Sequence, residues 1–161
     1  MKNPSTPIIF IIDENRFYAK LIQQYLNVAD YYEILLFNNP EACIEYLDIN
    51  PDIIIAEYQY ISSQRQGLKL LKTVKTNNPE TRLIFLTADK DVETAIKAIR
   101  AGATDYIIKS KYAPFKLIHK VNNIVKLKKD LLRNNSIRRK LIASVSILLL
   151  LTGFLIYFYN H

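Results

Sequence analysis

The chain is poor in cysteine, which limits the chemistry it can carry. Cys43 is the only cysteine in 161 residues, so no disulfide can form within the chain. Its neighbours Ala42, Ile44 and Leu47 form an apolar helical stretch, which favours a buried structural thiol over a reactive one. Room for a second full domain is also missing, because a single core typically occupies about 100 to 150 residues.

A secretory leader is not expected either. The early apolar run Ile8–Ile12 is too short for the hydrophobic region of a signal peptide, and it ends at the acidic residues Asp13 and Glu14. We therefore expect the folded part of the chain to be cytosolic.

Negative charge is scarce in the carboxyl-terminal third of the chain, and its last 21 residues lack both acidic residues and Lys/Arg. Residues 109–140 hold 11 Lys/Arg and a single acid, Asp130, for a net charge of +10, and residues 141–161 hold no Asp, Glu, Lys or Arg. Residues 1–108 hold 11 Lys/Arg against 14 Asp/Glu, a net charge of −3. The total of +7 therefore hides an acidic body, a basic neck and an uncharged tail.

Five short apolar runs in the body lack the polar alternation of a half-exposed strand. Such continuous aliphatic runs are typical of strands that are buried on both faces of a parallel sheet. Segments with apolar residues at helical spacing separate them, which predicts a doubly wound α/β fold of the flavodoxin-like order 2-1-3-4-5. The predicted strands are Ile8–Ile12, Ile34–Phe37, Ile53–Ala56, Leu83–Leu86 and Tyr106–Ile108.

The intervening segments carry apolar stripes at helical spacing. The stripes comprise Phe17, Leu21 and Tyr25 with Ile22 and Leu26 beside them; Leu68, Leu71 and Val74; and Val92, Ala95, Ile96 and Ile99.

Polar side chains follow four of the five predicted strands. Asp13 and Glu14 follow the first strand, Glu57 the third, Thr87 the fourth and Lys109 the fifth. Ligands of doubly wound sheets bind at the carboxyl ends of the strands, so these residues predict a polar pocket there. The second strand ends at Asn38, as expected for an edge strand away from the pocket.

The motifs around these strand ends resemble response-regulator receiver domains over roughly residues 5–127. The acidic pair follows strand one, "PDIIIAE" runs through strand three, "LTA" follows strand four, and "GATDYIIK" runs through strand five. In that family an acidic pair holds a divalent cation beside an aspartate that receives a phosphoryl group from a histidine kinase. The resemblance implies a weakly held Mg2+ bound by Asp13, Glu14, Glu57 and the backbone carbonyl of Gln59, since Mg2+ prefers oxygen ligands.

The resemblance also assigns roles to three further residues. Thr87 would hydrogen-bond a phosphoryl oxygen, and Lys109 would neutralise another as a point charge. Tyr106 occupies the position of the aromatic switch, whose ring turns inward and remodels the face formed by helix four, strand five and helix five. Ser110 departs from the family, which usually has proline after the lysine, so the placement of Lys109 is open.

Glu57 occupies the position of the phosphoacceptor aspartate. Its carboxylate reaches about 1.5 Å further from the backbone, and phosphoryl transfer depends on positioning, so we expect inefficient phosphorylation. The longer side chain would approach Thr87 and Lys109 and partly imitate an aspartyl phosphate. Asp52 is rejected as a substitute acceptor because it begins the third strand, at the end away from the pocket.

The pocket also carries excess negative charge. Asp13, Glu14 and Glu57 bring three negative charges against the single positive charge of Lys109. A bound cation, a raised carboxylate pKa or solvent would relieve the excess, and the sequence leaves these three open.

The basic neck and the tail continue from the last predicted helix, which we expect to run from near Pro114 to about Arg133. Residues 128–140 then form a basic extension and linker containing the polar connector Asn134, Asn135 and Ser136. The uncharged stretch Leu141–Tyr159 would span about 28 Å as a helix, close to the thickness of a bilayer core. Basic residues on its amino side alone place the receiver in the cytoplasm by the positive-inside rule, which predicts a single-pass membrane protein.

The leading hypothesis is a membrane-anchored pseudo-receiver that acts by protein–protein interaction with a signalling protein or a histidine kinase. It would be an adaptor and not an enzyme. One rival is a conventional receiver that is phosphorylated with Mg2+ despite Glu57. Another is a soluble oligomer whose tails form a helical bundle. A dimer is left open, and nucleic-acid binding is not expected because no recognition motif accompanies the basic neck.

Overall fold

The computed structural model describes residues 6–27, 31–60 and 66–159, with the side chains of residues 147–151 and 153–159 outside the description. The chain divides into two compact units, Met1–Asn122 and Asn123–His161.

The first unit is built on a five-stranded parallel sheet in the order β2-β1-β3-β4-β5. This order confirms the predicted flavodoxin-like α/β fold. The strands match the predicted runs to within one residue at either end. They are β1 (Ile8–Ile12), β2 (Glu33–Phe37), β3 (Ile53–Ala56), β4 (Arg82–Thr87) and β5 (Asp105–Ile108).

The continuous apolar runs are the centre of the core. Every residue of β3 is buried, and Phe10 of β1 and Phe85 of β4 have no solvent exposure. Burial on both faces explains why these strands show no polar alternation. The edge strand β2 is only half-buried over most of its length.

Helices connect the strands, and their caps fix where they begin. The Asn15 side chain accepts hydrogen bonds from the backbone N–H groups of Phe17 and Tyr18, and the Asp91 side chain caps the fourth helix in the same way. The helices are α1 (Arg16–Leu26), α2 (Pro40–Ile44), α3 (Gln66–Asn77), α4 (Val92–Arg100) and α5 (Ala113–Tyr159), with a 3₁₀ turn at Leu47–Ile49.

Two predicted apolar stripes are buried only in part. In α1, Ile22 and Leu26 of the stripe are buried together with Ala19, whereas Phe17 is 89% exposed. In α4, Val92 is 69% exposed. The spacing of apolar residues alone does not show whether a stripe packs on the core or stays exposed on the surface, where another protein can bind it.

The last helix, α5, is longer than the sequence predicts. It continues without a break past Arg133 and through Asn134, Asn135 and Ser136, where we expected a connector. Asn and Ser cost a helix only about 0.5 to 0.7 kcal/mol each relative to alanine, and neither glycine nor proline occurs between residues 115 and 152 to end it.

The membrane span was predicted on this same helix. Among the residues that the structure describes, no helix is both long and apolar enough to cross a membrane. Most side chains of the predicted span Leu141–Tyr159 lie outside the described ones. The transmembrane part of the predicted fold therefore stays a prediction.

Candidate functional site

The carboxyl ends of the central strands bring the predicted pocket residues together. Ile12 lies beside Ala56 in the sheet, so Asp13 and Glu57, which follow them, are neighbours. The Glu57 N–H donates to the Ile12 carbonyl at 3.0 Å, and the Lys109 N–H donates to the Thr87 carbonyl at 2.7 Å. The backbone hydrogen bonds of the sheet therefore place these side chains at one edge.

Asp13 is buried and both of its carboxylate oxygens have partners. Oδ1 accepts a hydrogen bond from the Asn15 N–H at 2.8 Å, and Oδ2 accepts one from Lys109 Nζ at 2.6 Å. The first bond tightens the turn into α1, where Asn15 is the helix cap. Glu14, the second member of the acidic pair, is exposed.

The Glu57 carboxylate, like that of Asp13, contacts both a backbone N–H group and Lys109. Oε1 accepts a hydrogen bond from the Tyr58 N–H at 2.8 Å, with the Gln59 N–H at 3.5 Å. Oε2 lies 2.8 Å from Lys109 Nζ. The longer side chain therefore reaches Lys109, as the sequence predicts. The Thr87 hydroxyl instead accepts a hydrogen bond from the Asp89 N–H.

Lys109 joins the two acids, and we call Asp13, Lys109 and Glu57 the strand-end triad. Their side chains are 9%, 20% and 12% exposed, respectively. Burial by itself would lower the pKa of Lys109, but its hydrogen bonds and charge interactions with Asp13 and Glu57 together raise that pKa above the ordinary lysine value. Its ammonium also lies 4.5 Å from the centre of the Tyr18 ring, a cation–π contact. Lys109 lies in the pocket although it is followed by Ser110 and not by the proline that is usual in the family.

The predicted switch residues form a second group beside the triad. Thr87 has no solvent exposure, and its hydroxyl accepts a hydrogen bond from the Asp89 N–H at 3.1 Å. The Tyr106 hydroxyl donates to the Asp89 carbonyl at 3.3 Å, and its ring lies against Tyr58 and Phe85. Burial, followed by the nearby charge of Asp89, raises the pKa of the Tyr106 hydroxyl. Tyr106 is thus half-buried, and its hydroxyl reaches the segment that follows Thr87.

In the structure Asp13 and Glu57 face Lys109 and not a common metal position. Among the described residues, no group of three His, Cys, Asp or Glu side chains converges on a common point. Asp13 and Glu57 each direct an oxygen at the Lys109 ammonium, and the Gln59 side chain donates to Asp89 Oδ2 at 2.9 Å. Mg2+ binding by these residues stays a prediction.

Two site residues were missed from the sequence. Asp89 supplies backbone partners to Thr87 and Tyr106, and its only signal was its place two residues after the strand-four threonine. Tyr18 covers Lys109 from α1, although its position on the helix gave no sign of it. Asp52 lies at the opposite end of β3, where its carboxylate accepts a hydrogen bond from the Ile8 N–H at 2.8 Å, which supports its rejection as an acceptor.

The family model for the response regulator receiver domain matches residues 9–122. The chain belongs to this family. Receiver domains take part in two-component signalling with histidine kinases and generally bind Mg2+. The match covers the whole of the pocket and all of the sheet except Ile8, which confirms the resemblance seen in the motifs.

Similar proteins agree with this membership. Regulatory protein AtoC of Escherichia coli is 30% identical over 101 residues, which cover 63% of this chain and 22% of AtoC. The chain therefore spans about a fifth of this relative.

Two solved structures share the fold. The signal receiver domain of a LuxO repressor protein from Vibrio parahaemolyticus has a TM-score of 0.69 at 23% identity, covering 78% of this chain and 96% of that one. A Burkholderia pseudomallei response regulator with a phosphorylated aspartic acid, a calcium ion and citrate has a TM-score of 0.63 at 19% identity, covering 77% of this chain and 72% of that one.

Proposed function

We propose that this receiver is a membrane-attached adaptor that signals by protein–protein contact, without phosphorylation and without enzymatic activity. The observation that carries the proposal is the strand-end triad. Glu57 stands where the family has its acceptor aspartate, and its carboxylate is already paired with Lys109 at 2.8 Å.

The contacts within the triad support a pocket in which Glu57 does not accept a phosphoryl group. Each carboxylate oxygen of Asp13 and Glu57 has a partner, either Lys109 Nζ or a backbone N–H group. A phosphoryl group on Glu57 would have to break these contacts, and it would lie about one bond length away from the position that the shorter aspartate gives it. Misplacement of this size costs phosphoryl transfer orders of magnitude.

A phosphodonor assay with a matched variant tests this. The chain and its Glu57→Asp variant are incubated with acetyl phosphate and Mg2+, and intact mass is measured over time. We expect phosphorylation of Glu57→Asp and none of the wild type, because the variant restores the length of the acceptor. Stable phosphorylation of wild-type Glu57, or a structural response to beryllofluoride that Glu57→Gln abolishes, would refute the adaptor.

The alternative is a conventional receiver, and one observation favours it. Thr87, Tyr106 and Lys109 all lie at the pocket, and the similar Burkholderia regulator was solved with a phosphorylated aspartic acid. Under this alternative Lys109 leaves Glu57 when a phosphoryl group arrives, and Mg2+ increases the rate. The same assay decides between the two.

Exposed apolar side chains support contact with a protein partner. Ile96 and Ile99 of α4 are each 46% exposed, beside Val92 at 69%, and Ile108 at the end of β5 is 41% exposed. Exposed apolar clusters of this kind mark interaction sites. We propose a histidine kinase or another signalling protein as the partner. Crosslinking with mass spectrometry in native membranes should place its contacts on α4 and β5 and not on α3.

Membrane attachment is proposed for Leu141–Tyr159. The support is its 19 residues without a charged side chain, the basic residues before it, and a backbone that stays helical to Tyr159. The receiver would then lie in the cytoplasm. Carbonate extraction of membranes tests this, since full-length chain in the pellet supports attachment and release into the supernatant favours the soluble helical bundle.

A further inference from the structure

The residues just before the uncharged tail carry three adjacent positive charges. Arg138, Arg139 and Lys140 lie in the unbroken helix α5, and all three are exposed. Successive residues of an α-helix are rotated by about 100° around its axis. These three side chains therefore project in three directions around the helix. We call them the basic collar.

We propose that the basic collar binds the headgroups of anionic phospholipids around the helix, so that the chain gathers acidic lipid where it enters the membrane. The inference rests on the proposed membrane attachment of Leu141–Tyr159. Membrane attachment by itself does not specify a lipid class, whereas the basic collar specifies anionic phospholipids. A ring of charge fits lipids, because they surround a spanning helix on all sides.

Distance separates the collar from the basic residues of α5 that precede Arg133, which itself lies five residues before Arg138. Lys140 immediately precedes Leu141, whereas Lys126 lies 14 residues earlier, about 21 Å along the axis of a straight helix. Electrostatic attraction is screened over about 8 Å at physiological salt. A helix that enters the membrane at Leu141 therefore brings the collar within range of the headgroups and leaves Lys126 beyond it.

Few acidic side chains oppose the collar within its own unit. Residues 123–159 contain one acid, Asp130, which precedes Arg138 by eight residues, or about 12 Å of helix. Anionic headgroups supply the opposite charge that the sequence of this segment does not. Each basic residue near an anionic membrane contributes about 1 kcal/mol, which is about a five-fold preference for anionic over zwitterionic lipid.

Spin-labelled lipids measure this preference directly. The full-length chain is reconstituted into phosphatidylcholine vesicles that carry trace spin-labelled phosphatidylserine or spin-labelled phosphatidylcholine. The motionally restricted fraction of each label gives their relative association with the protein. We expect a preference for phosphatidylserine of about five-fold at physiological salt, falling toward one at about 1 M salt, where the screening length is about 3 Å.

Two triple variants with equal charge loss provide the control. Arg138→Gln/Arg139→Gln/Lys140→Gln should reduce the preference to one, and Lys126→Gln/Lys128→Gln/Lys129→Gln should leave it unchanged. A wild-type preference of one, or equal losses in both variants, would overturn the collar. If neither lipid is restricted by the wild-type chain, then membrane attachment itself fails, which is a separate result.

Discussion

The strand-end triad makes a strong prediction about stability, because its two acids depend on one lysine. In the Lys109→Met variant, Asp13 and Glu57 keep their positions at the ends of β1 and β3 but lose the ammonium that both contact, at 2.6 and 2.8 Å. Two carboxylates with little solvent exposure then face each other without a counter-charge. The variant should unfold more easily than the wild type at neutral pH.

The size of the loss follows from burial. Removing one partner from a fully buried ion pair costs about 3 to 5 kcal/mol. The Lys109 side chain keeps 20% of its exposure, so we expect the lower end, a loss of about 3 kcal/mol in the free energy of unfolding.

Urea unfolding in mild detergent at neutral pH measures the effect. Lys120→Met is the matched control, because Lys120 pairs with Asp105 at 2.7 Å while its side chain is 39% exposed. An exposed pair contributes about 1 kcal/mol or less. Equal losses in the two variants would refute the triad as a buried electrostatic unit.

Three further outcomes can be measured. Because the pKa of Lys109 is raised in the folded chain, its contribution to stability is complete below the ordinary value of 10.5 and is lost at higher pH, which alkaline urea titration checks. Gly67→Ala should destabilise by about 1 to 3 kcal/mol in thermal unfolding, since a Cβ would collide with the Tyr58 carbonyl. Burial raises the pKa of the Cys43 thiol to about 12, so a disulfide reagent should modify it only after unfolding.

The sheet was predictable because its signal is local. Each strand is a continuous apolar run, and the polar residue that follows it marks the end that carries the pocket. Asp13, Glu57 and Lys109 could therefore be assigned to one site from their order along the chain. Their contacts could not be derived in this way, since the choice among a cation, a shifted pKa and solvent depends on side-chain distances. In the structure Lys109 is shared by both acids.

Burial was predicted less well on the helices than in the sheet. A period of 3.6 residues identifies an apolar face but not what covers it. Phe17 and Val92 belong to such faces and are exposed, while the small residue Ala98 is the buried position of α4. The end of α5 was also misplaced, because Asn134 and Asn135 are weak helix formers whose cost is too small to stop an established helix.

The position of Tyr106 gives the adaptor a physical basis. In a switching receiver the charge at the acceptor site and the ring of the switch residue change together. Here the Glu57 carboxylate is paired with Lys109, and the Tyr106 hydroxyl donates to the Asp89 carbonyl. Under the proposed adaptor function a phosphatase could not remove this charge, so regulation would act on the partner, or on the amount of receiver at the membrane. The lipid preference of the basic collar would provide the second of these controls.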